Sequence, residues 1–277
     1  MQSFNERIID KVLLKLEENL GYVTIDELIA YSGFSYYHFH RLFAAYTGET
    51  LARYIKRMRL EKAARHLNYD ERPVTEVAAM SGFNTPSAFN KAFRSFFGCS
   101  PRDFKSAHIQ RQRPAAIPPQ RFETLAPVAV YALRHVGAYG NALSAYAQLM
   151  QFITAQTDKY VEYLAQQQAY IYAVAYDDPN VTSVNKLRAD VCISAIEELT
   201  LAHGIEHKYI AGGKYGIFIH QGAYGKLYET FEGIYQWLLQ SDMRLRDAPN
   251  YEKYLIADPQ NRSLDALTIE IHIPLSH

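Results

Sequence analysis

Apolar residues in the first hundred positions recur at helical spacing. Ile8, Val12, Leu16 and Leu20 lie four apart with Ile9 and Leu13 beside them, which predicts a helix over 4–20 that Gly21 is placed to end. Thr24 with Glu27 three residues on makes a capping box for a second helix. Phe39 and Phe43, then Phe89, Phe93 and Phe97, mark the inward faces of two more. Between these pairs, residues 50–67 predict a longer helix bearing Arg53, Lys56, Arg57, Arg59, Lys62 and Arg65. That basic face is either simply solvated or in part a set of phosphate contacts. Residues 68–73 read as a loop.

The second half has a different rhythm. Strand-like runs at 128–133 and 216–219 each lead into a helical pattern. The first helix, over 141–155, carries Leu143, Tyr146, Leu149 and Met150; the second, over 226–240, carries Leu227, Phe231, Ile234 and Leu238. Further strands are expected at 170–176 and 190–195 after the first helix, and at 252–256 and 267–273 after the second. Residues 106–120, with Arg111-Gln112-Arg113-Pro114-Ala115-Ala116-Ile117-Pro118-Pro119 at their centre, read as a semi-rigid boundary between the halves.

Each half repeats itself. Phe39, Phe43 and Gly48 map onto Phe89, Phe93 and Gly98 at constant offset, and Gly33-Phe34 answers Gly82-Phe83 with a turn one residue different in length. Each copy reads helix, glycine turn, helix, the pattern whose second helix enters the DNA major groove. Ser35 is placed to cap the first recognition helix, leaving Tyr36, Tyr37, His40 and Arg41 as groove-facing candidates. Arg41 has the geometry for a guanine edge, or for a phosphate alone. Thr85 and Pro86 open the second, whose outer face carries Ser87, Asn90, Lys91 and Arg94. In the second half, Arg134-His135-Val136-Gly137-Ala138-Tyr139-Gly140 recurs 85 positions later as Ile219-His220-Gln221-Gly222-Ala223-Tyr224-Gly225. The unit is strand, helix, strand, strand, occurring twice, with a cleft expected at the pseudo-twofold seam.

The first 108 residues resemble the DNA-binding domain of AraC/XylS-type transcription regulators, through Arg59-Leu60-Glu61-Lys62-Ala63, Leu67, Val74, Val77-Ala78, Gly82-Phe83, Phe89, Phe93, Phe97-Gly98 and Ser100-Pro101. The resemblance implies base contacts at Tyr37, His40 and Arg41 and at Ser87, Asn90 and Lys91, with helix 50–67 linking two reading units. Residues 121–277 resemble the effector-binding domain related to bacterial gyrase-inhibitory proteins, through His135-Val136-Gly137-Ala138-Tyr139, Tyr176-Asp177-Asp178-Pro179, Leu187-Arg188-Ala189-Asp190, Gly212-Gly213-Lys214-Tyr215 and Tyr251-Glu252-Lys253-Tyr254-Leu255. That likeness implies that Glu252 faces an effector cleft.

The residues allow the same assignment for Glu252. It lies inside an expected strand, and a carboxylate on a buried face without a partner is costly unless a cationic ligand supplies one. The other reading is a solvent-facing carboxylate paired with a neighbouring Lys or Arg, and Glu270 is the competing carboxylate. The second half holds 15 of the 22 Tyr, suited to stacking on flat molecules and attracting cations. Tyr172, Tyr176, Tyr215 and Tyr254 are the cleft candidates, and Trp237 is expected in the core.

Charge adds to this picture. The chain is formally neutral, yet residues 1–113 carry 17 Lys/Arg against 12 Asp/Glu, and the rest carry 12 against 17. A basic half beside an acidic one suits a nucleic-acid reader joined to a cation binder. Cys99 and Cys192, one per half, imply no disulfide framework, and no apolar run reaches 18 residues, so a cytoplasmic location is expected. No phosphate loop, zinc-protease or serine-hydrolase motif is present, and the ten His show no metal spacing. No cofactor and no metal are expected. His135 and His220 read as structural turn residues.

The fold class expected is an all-α tandem helix-turn-helix domain over 1–108, a linker over 109–120, and an α+β domain of two strand-helix-strand-strand repeats over 121–277. The function expected is DNA-binding transcription regulation, as an activator, under control of an apolar cation. The partners are double-stranded DNA, the small-molecule effector and RNA polymerase, with no membrane. The alternative is a small-molecule hydrolase or ligand-scavenging protein.

Overall fold

The computed structural model describes residues 4–20, 23–69, 72–109, 114–201, 204–255 and 267–276. The chain divides into two units, Met1–Arg111 and Gln112–His277.

The first unit is helical. Its elements are α1 (Phe4–Glu18), α2 (Ile25–Ser32), α3 (Tyr36–Thr47), α4 (Leu51–Tyr69), α5 (Val74–Met80), α6 (Pro86–Phe97) and α7 (Pro101–Ile109). The position assigned to the first helix stop, Gly21, lies outside the described residues. Local chemistry sets the other ends. The Glu27 amide donates to Thr24 Oγ1 and the Thr24 amide to Glu27 Oε2 at 2.7 Å, completing the capping box. Gly33 then ends α2 at φ +71°, a conformation that glycine adopts without Cβ strain. Ile9, Val12, Leu16, Leu28, Phe39, Phe43 and Leu51 close one core, while Phe89, Phe93, Phe97 and Phe104 stack in a second around α6 and α7. Helix α7 occupies the start of the stretch expected to be boundary.

α4 holds both cores. Only part of its expected basic face is available to solvent: Arg57 is buried between Glu49 at 2.7 Å and Glu61 at 2.9 Å. Arg59 donates to the Leu20 carbonyl at 3.2 Å and to the Gly82 carbonyl at 2.9 Å. Arg53 and Lys56 remain exposed. The helix runs to Tyr69, so Asn68 and Tyr69 are helical rather than loop.

The second unit is one sheet with helices on one face. Its elements are β1 (Arg121–Leu125), β2 (Val128–Val136), α8 (Leu143–Thr154), α9 (Lys159–Ala165), β3 (Ile171–Ala175), β4 (Arg188–Ser194), β5 (Ile205–Ile210), β6 (Gly213–Gly222), α10 (Leu227–Gln240), β7 (Arg244–Leu245), β8 (Asn250–Tyr254) and β9 (Leu267–Ser276). The strand order is β1-β6-β9-β8-β3-β4-β2-β5, with β7 on β9. The two repeats therefore meet edge to edge where β3 pairs β8. β1, α9, β5 and β7 are additional to the expected repeat unit. β1 and β5 interlock the repeats, since β1 pairs β6 of the second and β5 pairs β2 of the first.

The same connections force curvature. Only residues 126 and 127 separate β1 from β2, spanning at most about 11 Å. In a flat sheet, strands at those places in the order would lie about 29 Å apart. The sheet therefore curls, and Val130, Tyr172, Val174, Ile217, Tyr215 and Tyr251 pack inside the curl. The helices cover the outer face, α8 on β2 and β4 and α10 on β6.

The proline-rich stretch is only partly a spacer. The Ile117 amide donates to the Gly233 carbonyl at 3.0 Å, and the Gln120 amide to the Ile217 carbonyl at 2.7 Å. Residues 115–120 thus dock on α10 and lead into β1, because Gly233 has no side chain to hold them off. Residues 110–113 lie outside the described residues.

Candidate functional site

Both recognition helices are capped and present polar outer faces. The His38 amide donates to Ser35 Oγ, and the Ala88 amide to Thr85 Oγ1 at 3.1 Å, with Pro86 in the first turn of α6. Tyr36 and Tyr37 are 64% and 61% exposed. Arg41 Nη1 donates to the Tyr37 hydroxyl, and its guanidinium lies 5.3 Å from that ring's centre. The two side chains form one exposed unit. His40 departs from the expectation: it is half-buried, its ring lies 4.4 Å from that of Tyr36, and its Nε2 is buried without a hydrogen-bond partner. On α6, Ser87, Asn90, Lys91 and Arg94 are all exposed, although the Asn90 amide already donates to the Pro86 carbonyl at 2.9 Å.

In the second unit, strand register decides the site. One row of facing residues crosses the outer face of the sheet: Phe218, Ile271, Glu252, Ala173, Val191 and Leu133. Phe218 and Ile271 lie under α10, and Val191 and Leu133 under α8. Glu252 and Ala173 occupy the middle, between the helices. Glu252 is 6% exposed and accepts a 2.7 Å hydrogen bond from the Tyr254 hydroxyl. Burial pushes its carboxyl up to about 7, with the Tyr254 bond pulling the other way. Burial also raises the phenols of Tyr254 and Tyr224, with the Glu252 charge adding to both. At the rim, the Tyr228 hydroxyl of α10 donates to Asn180 Oδ1 of the first repeat at 3.0 Å, so the second repeat reaches the first here.

Glu270 is a different kind of carboxylate. It lies on the inner face, with Arg121 at 2.7 Å, His272 at 3.3 Å and Lys253 at 3.7 Å. The His272 hydrogen bond and these cations hold it down to about 2 despite partial burial. Among the described residues no group of His, Cys, Asp and Glu could hold a metal.

Residues 119–276 match the model of the GyrI-like small molecule binding domain, and residues 28–107 match a Helix-turn-helix domain model. The chain is an AraC-type transcription regulator with a GyrI-like domain. Its first part is 32% identical over 105 residues to the Transposon Tn10 TetD protein of Escherichia coli, covering 38% of this chain and 76% of TetD. It is 30% identical over 102 residues to the regulatory protein SoxS of Escherichia coli K12, covering 36% of this chain and 95% of SoxS. A solved chain from an EcmrR–DNA complex is similar along the whole length at 14% identity, covering 98% of this chain and 97% of that one, with a TM-score of 0.48. The family is one of transcription regulators and not of enzymes, which removes the hydrolase alternative. No described helix is long and apolar enough to cross a membrane.

The GyrI-like sheet separates the expected cleft residues. Glu252 and Tyr254 share the outer face between the helices. Tyr172, Tyr176 and Tyr215 do not face that groove; they pack on the inner face, where Tyr176 donates to Asp190 at 2.6 Å and Tyr215 to the Ala211 carbonyl at 2.6 Å. Tyr224 belongs to the groove and was not among the candidates. Its signal lay in the repeat: its counterpart Tyr139 donates to the Asp177 and Arg188 carbonyls, at 2.7 and 3.2 Å, whereas Tyr224 stands next to a carboxylate. His135 and His220 take their equivalent structural places, each ring nitrogen meeting the carbonyl three residues on, Ala138 at 2.9 Å and Ala223 at 3.3 Å. Trp237 packs partly buried against Phe218 and Phe122 on the α10 side.

Proposed function

We propose that this regulator activates transcription from specific duplex sites when a lipophilic cation occupies the groove between α8 and α10. The observation that carries the ligand class is Glu252: a buried carboxylate that, among the described residues, accepts a hydrogen bond from a neutral phenol and has no cation beside it. A buried carboxylate of that kind stays protonated or acquires a counter-charge. The neighbouring Tyr254 and Tyr224 rings supply faces that attract cations. Ala173, opposite Glu252, leaves room that a larger side chain would fill.

DNA reading is assigned to Tyr36, Tyr37 and Arg41 on α3 and to Ser87, Asn90, Lys91 and Arg94 on α6. Activation is supported by the name of a relative, the HTH-type transcriptional activator AarP of Providencia stuartii, 31% identical over 99 residues that cover 73% of it. An activator would engage RNA polymerase as its further partner.

The test is binding of tetraphenylphosphonium and, at matched size, tetraphenylborate to the full chain, followed by Trp237 fluorescence. The cation should bind saturably and the anion should not. Equal binding of both would show that the groove selects size and not charge, and would remove Glu252 from the mechanism.

A further inference from the structure

β5 is the last strand in the sheet order, and among the described residues no strand pairs with its outer edge. The direction of its backbone groups follows from its neighbours. The Ala195 amide donates to the Ala129 carbonyl at 2.9 Å, and the Gly137 amide to the Leu187 carbonyl at 2.8 Å. Odd-numbered residues along β2 therefore turn their N–H and C=O groups toward β4, and even-numbered ones turn theirs toward β5. Val130 faces Lys208 and Ala132 faces Glu206, so Glu206, Lys208 and Ile210 direct their backbone groups at β2. Ile205, His207 and Tyr209 point theirs away from the sheet.

The side chains alternate as well. His207 and Tyr209 lie on the outer face, both exposed, with ring centres 5.6 Å apart and His207 5.4 Å from the Tyr131 ring. Glu206 and Lys208 lie on the inner face, 3.2 Å apart and partly exposed. An open edge with outward N–H and C=O groups is a template for another strand. The strand's own sequence, Ile205-Glu206-His207-Lys208-Tyr209-Ile210, supplies the match.

We propose that β5 pairs antiparallel with β5 of a second copy of this chain, about a twofold axis at His207, so that the two sheets become one. Only outward-pointing residues exchange hydrogen bonds across such a contact, so odd positions must face odd positions. The symmetric registers that keep most of the strand paired then centre on Glu206, His207 or Lys208. The first sets Glu206 against its own copy and the last sets Lys208 against its own copy, and like charges directly opposite are destabilising. The register at His207 instead sets each Glu206 opposite Lys208 of the other copy. These fall in the closer, non-hydrogen-bonded pairs, with Cα atoms about 4.5 Å apart. Ile205 then faces Tyr209 of the other copy, and up to about six backbone hydrogen bonds form. Charges that ordinarily guard an edge here admit one register. The contact is far smaller than a standard interface, so the association is weak. In the dimer two DNA-reading units are coupled, and affinity for paired duplex sites rises with chain concentration.

The experiment is sedimentation equilibrium of the full chain. A monomer–dimer equilibrium with a Kd on the order of 100 µM is expected. His207→Pro removes an outward N–H that takes no part in the β2 ladder, a place where an edge strand tolerates proline; it should keep the fold and weaken the dimer at least about tenfold. Glu206→Lys, which sets like charges across the axis, should also weaken it at least about tenfold. Register is read separately by oxidation in a Cys99→Ser background, where Cys192 is buried. His207→Cys lies about 5.5 Å from its copy, Cα to Cα, and should form an interchain disulfide. Tyr209→Cys lies about 14 Å from its copy and should not. A chain still monomeric at about 1 mM, a His207→Pro dimer of wild-type strength, cross-linking through position 209 rather than 207, or open-ended assembly beyond the dimer would each overturn the proposal.

Discussion

Glu252 on β8 faces Ala173 on β3 at the midpoint of the seam between the two repeats. The five facing pairs run from Ile171 with Tyr254 to Ala175 with Asn250, and this is the central one. A pseudo-twofold axis through that midpoint makes the two positions equivalent. One repeat has a carboxylate there and the other a methyl, so a single ionisable group sits on the axis with space across from it.

That placement fixes the pH dependence of stability. Because the folded chain keeps the Glu252 proton up to about pH 7, whereas the unfolded chain loses it near the ordinary carboxylate value, stability falls as pH rises between those values. A shift of that size amounts to about 3 kcal/mol. Glu252→Gln should remove this slope, so that the variant matches the wild type near pH 4.5 and exceeds it at pH 8. Urea unfolding at the two pH values checks this. A wild type that gains stability relative to the variant above pH 7 would show a charged, partnered Glu252.

Ala173→Leu should fill the space opposite Glu252. Some overpacking cost of about 1–3 kcal/mol is expected, with tetraphenylphosphonium binding lost. Calorimetry reads the loss, and retained cation binding would place that ligand outside the seam.

Arg59 ties the end of α1 to the turn before α6 through the Leu20 and Gly82 carbonyls. Arg59→Ala should cost about 1–3 kcal/mol and weaken binding to a selected two-groove duplex. Gly82→Ala should resemble it, since a Cβ there would lie 2.9 Å from Arg59 Nε at a φ of +71°. Denaturation and fluorescence anisotropy on both variants provide the check, and wild-type DNA affinity in a destabilised Arg59→Ala would separate the clamp from recognition.

Gly233 receives the interdomain stretch. A Cβ there would approach Ile117 to 2.6 Å and the Ala115 carbonyl oxygen to 2.9 Å. Gly233→Ala should therefore release residues 115–117, increasing proteolysis at that stretch while α10 itself gains helix propensity of up to about 1 kcal/mol. Unchanged proteolysis would show that the docked stretch tolerates the methyl.

The helical half was largely legible in the sequence because its signals are local: a capping box at Thr24, phenylalanines four apart, and glycines at turns. The strand-helix-strand-strand repeat was legible from the recurrence of the Gly-Ala-Tyr motif. The division of the tyrosines was not. Period-two alternation shows that Glu252 and Tyr254 share a side of β8, but which side of β3 joins them depends on the pairing of Ala173 with Glu252, a long-range register. β1 and β5 escaped for a related reason: Arg121–Leu125 and Ile205–Ile210 are short, the first mostly exposed and the second buried only at its two ends, and they pair across repeats rather than within them. Arg57 and Arg59 looked like surface charges because the Glu49, Leu20 and Gly82 partners that draw them inward lie elsewhere in the chain.

The central claim, that Glu252 becomes the counter-charge of a bound cation, is tested most directly by counting protons. Tetraphenylphosphonium binding is measured by calorimetry at pH 7 in buffers of different ionisation enthalpy, for the wild type and for Glu252→Gln. With the carboxyl at about 7, the wild type should release about half a proton on binding, falling toward none by about pH 9. The variant should bind more weakly and release none. Tight binding with no proton released by the wild type at pH 7, or the same release from Glu252→Gln, would contradict the account.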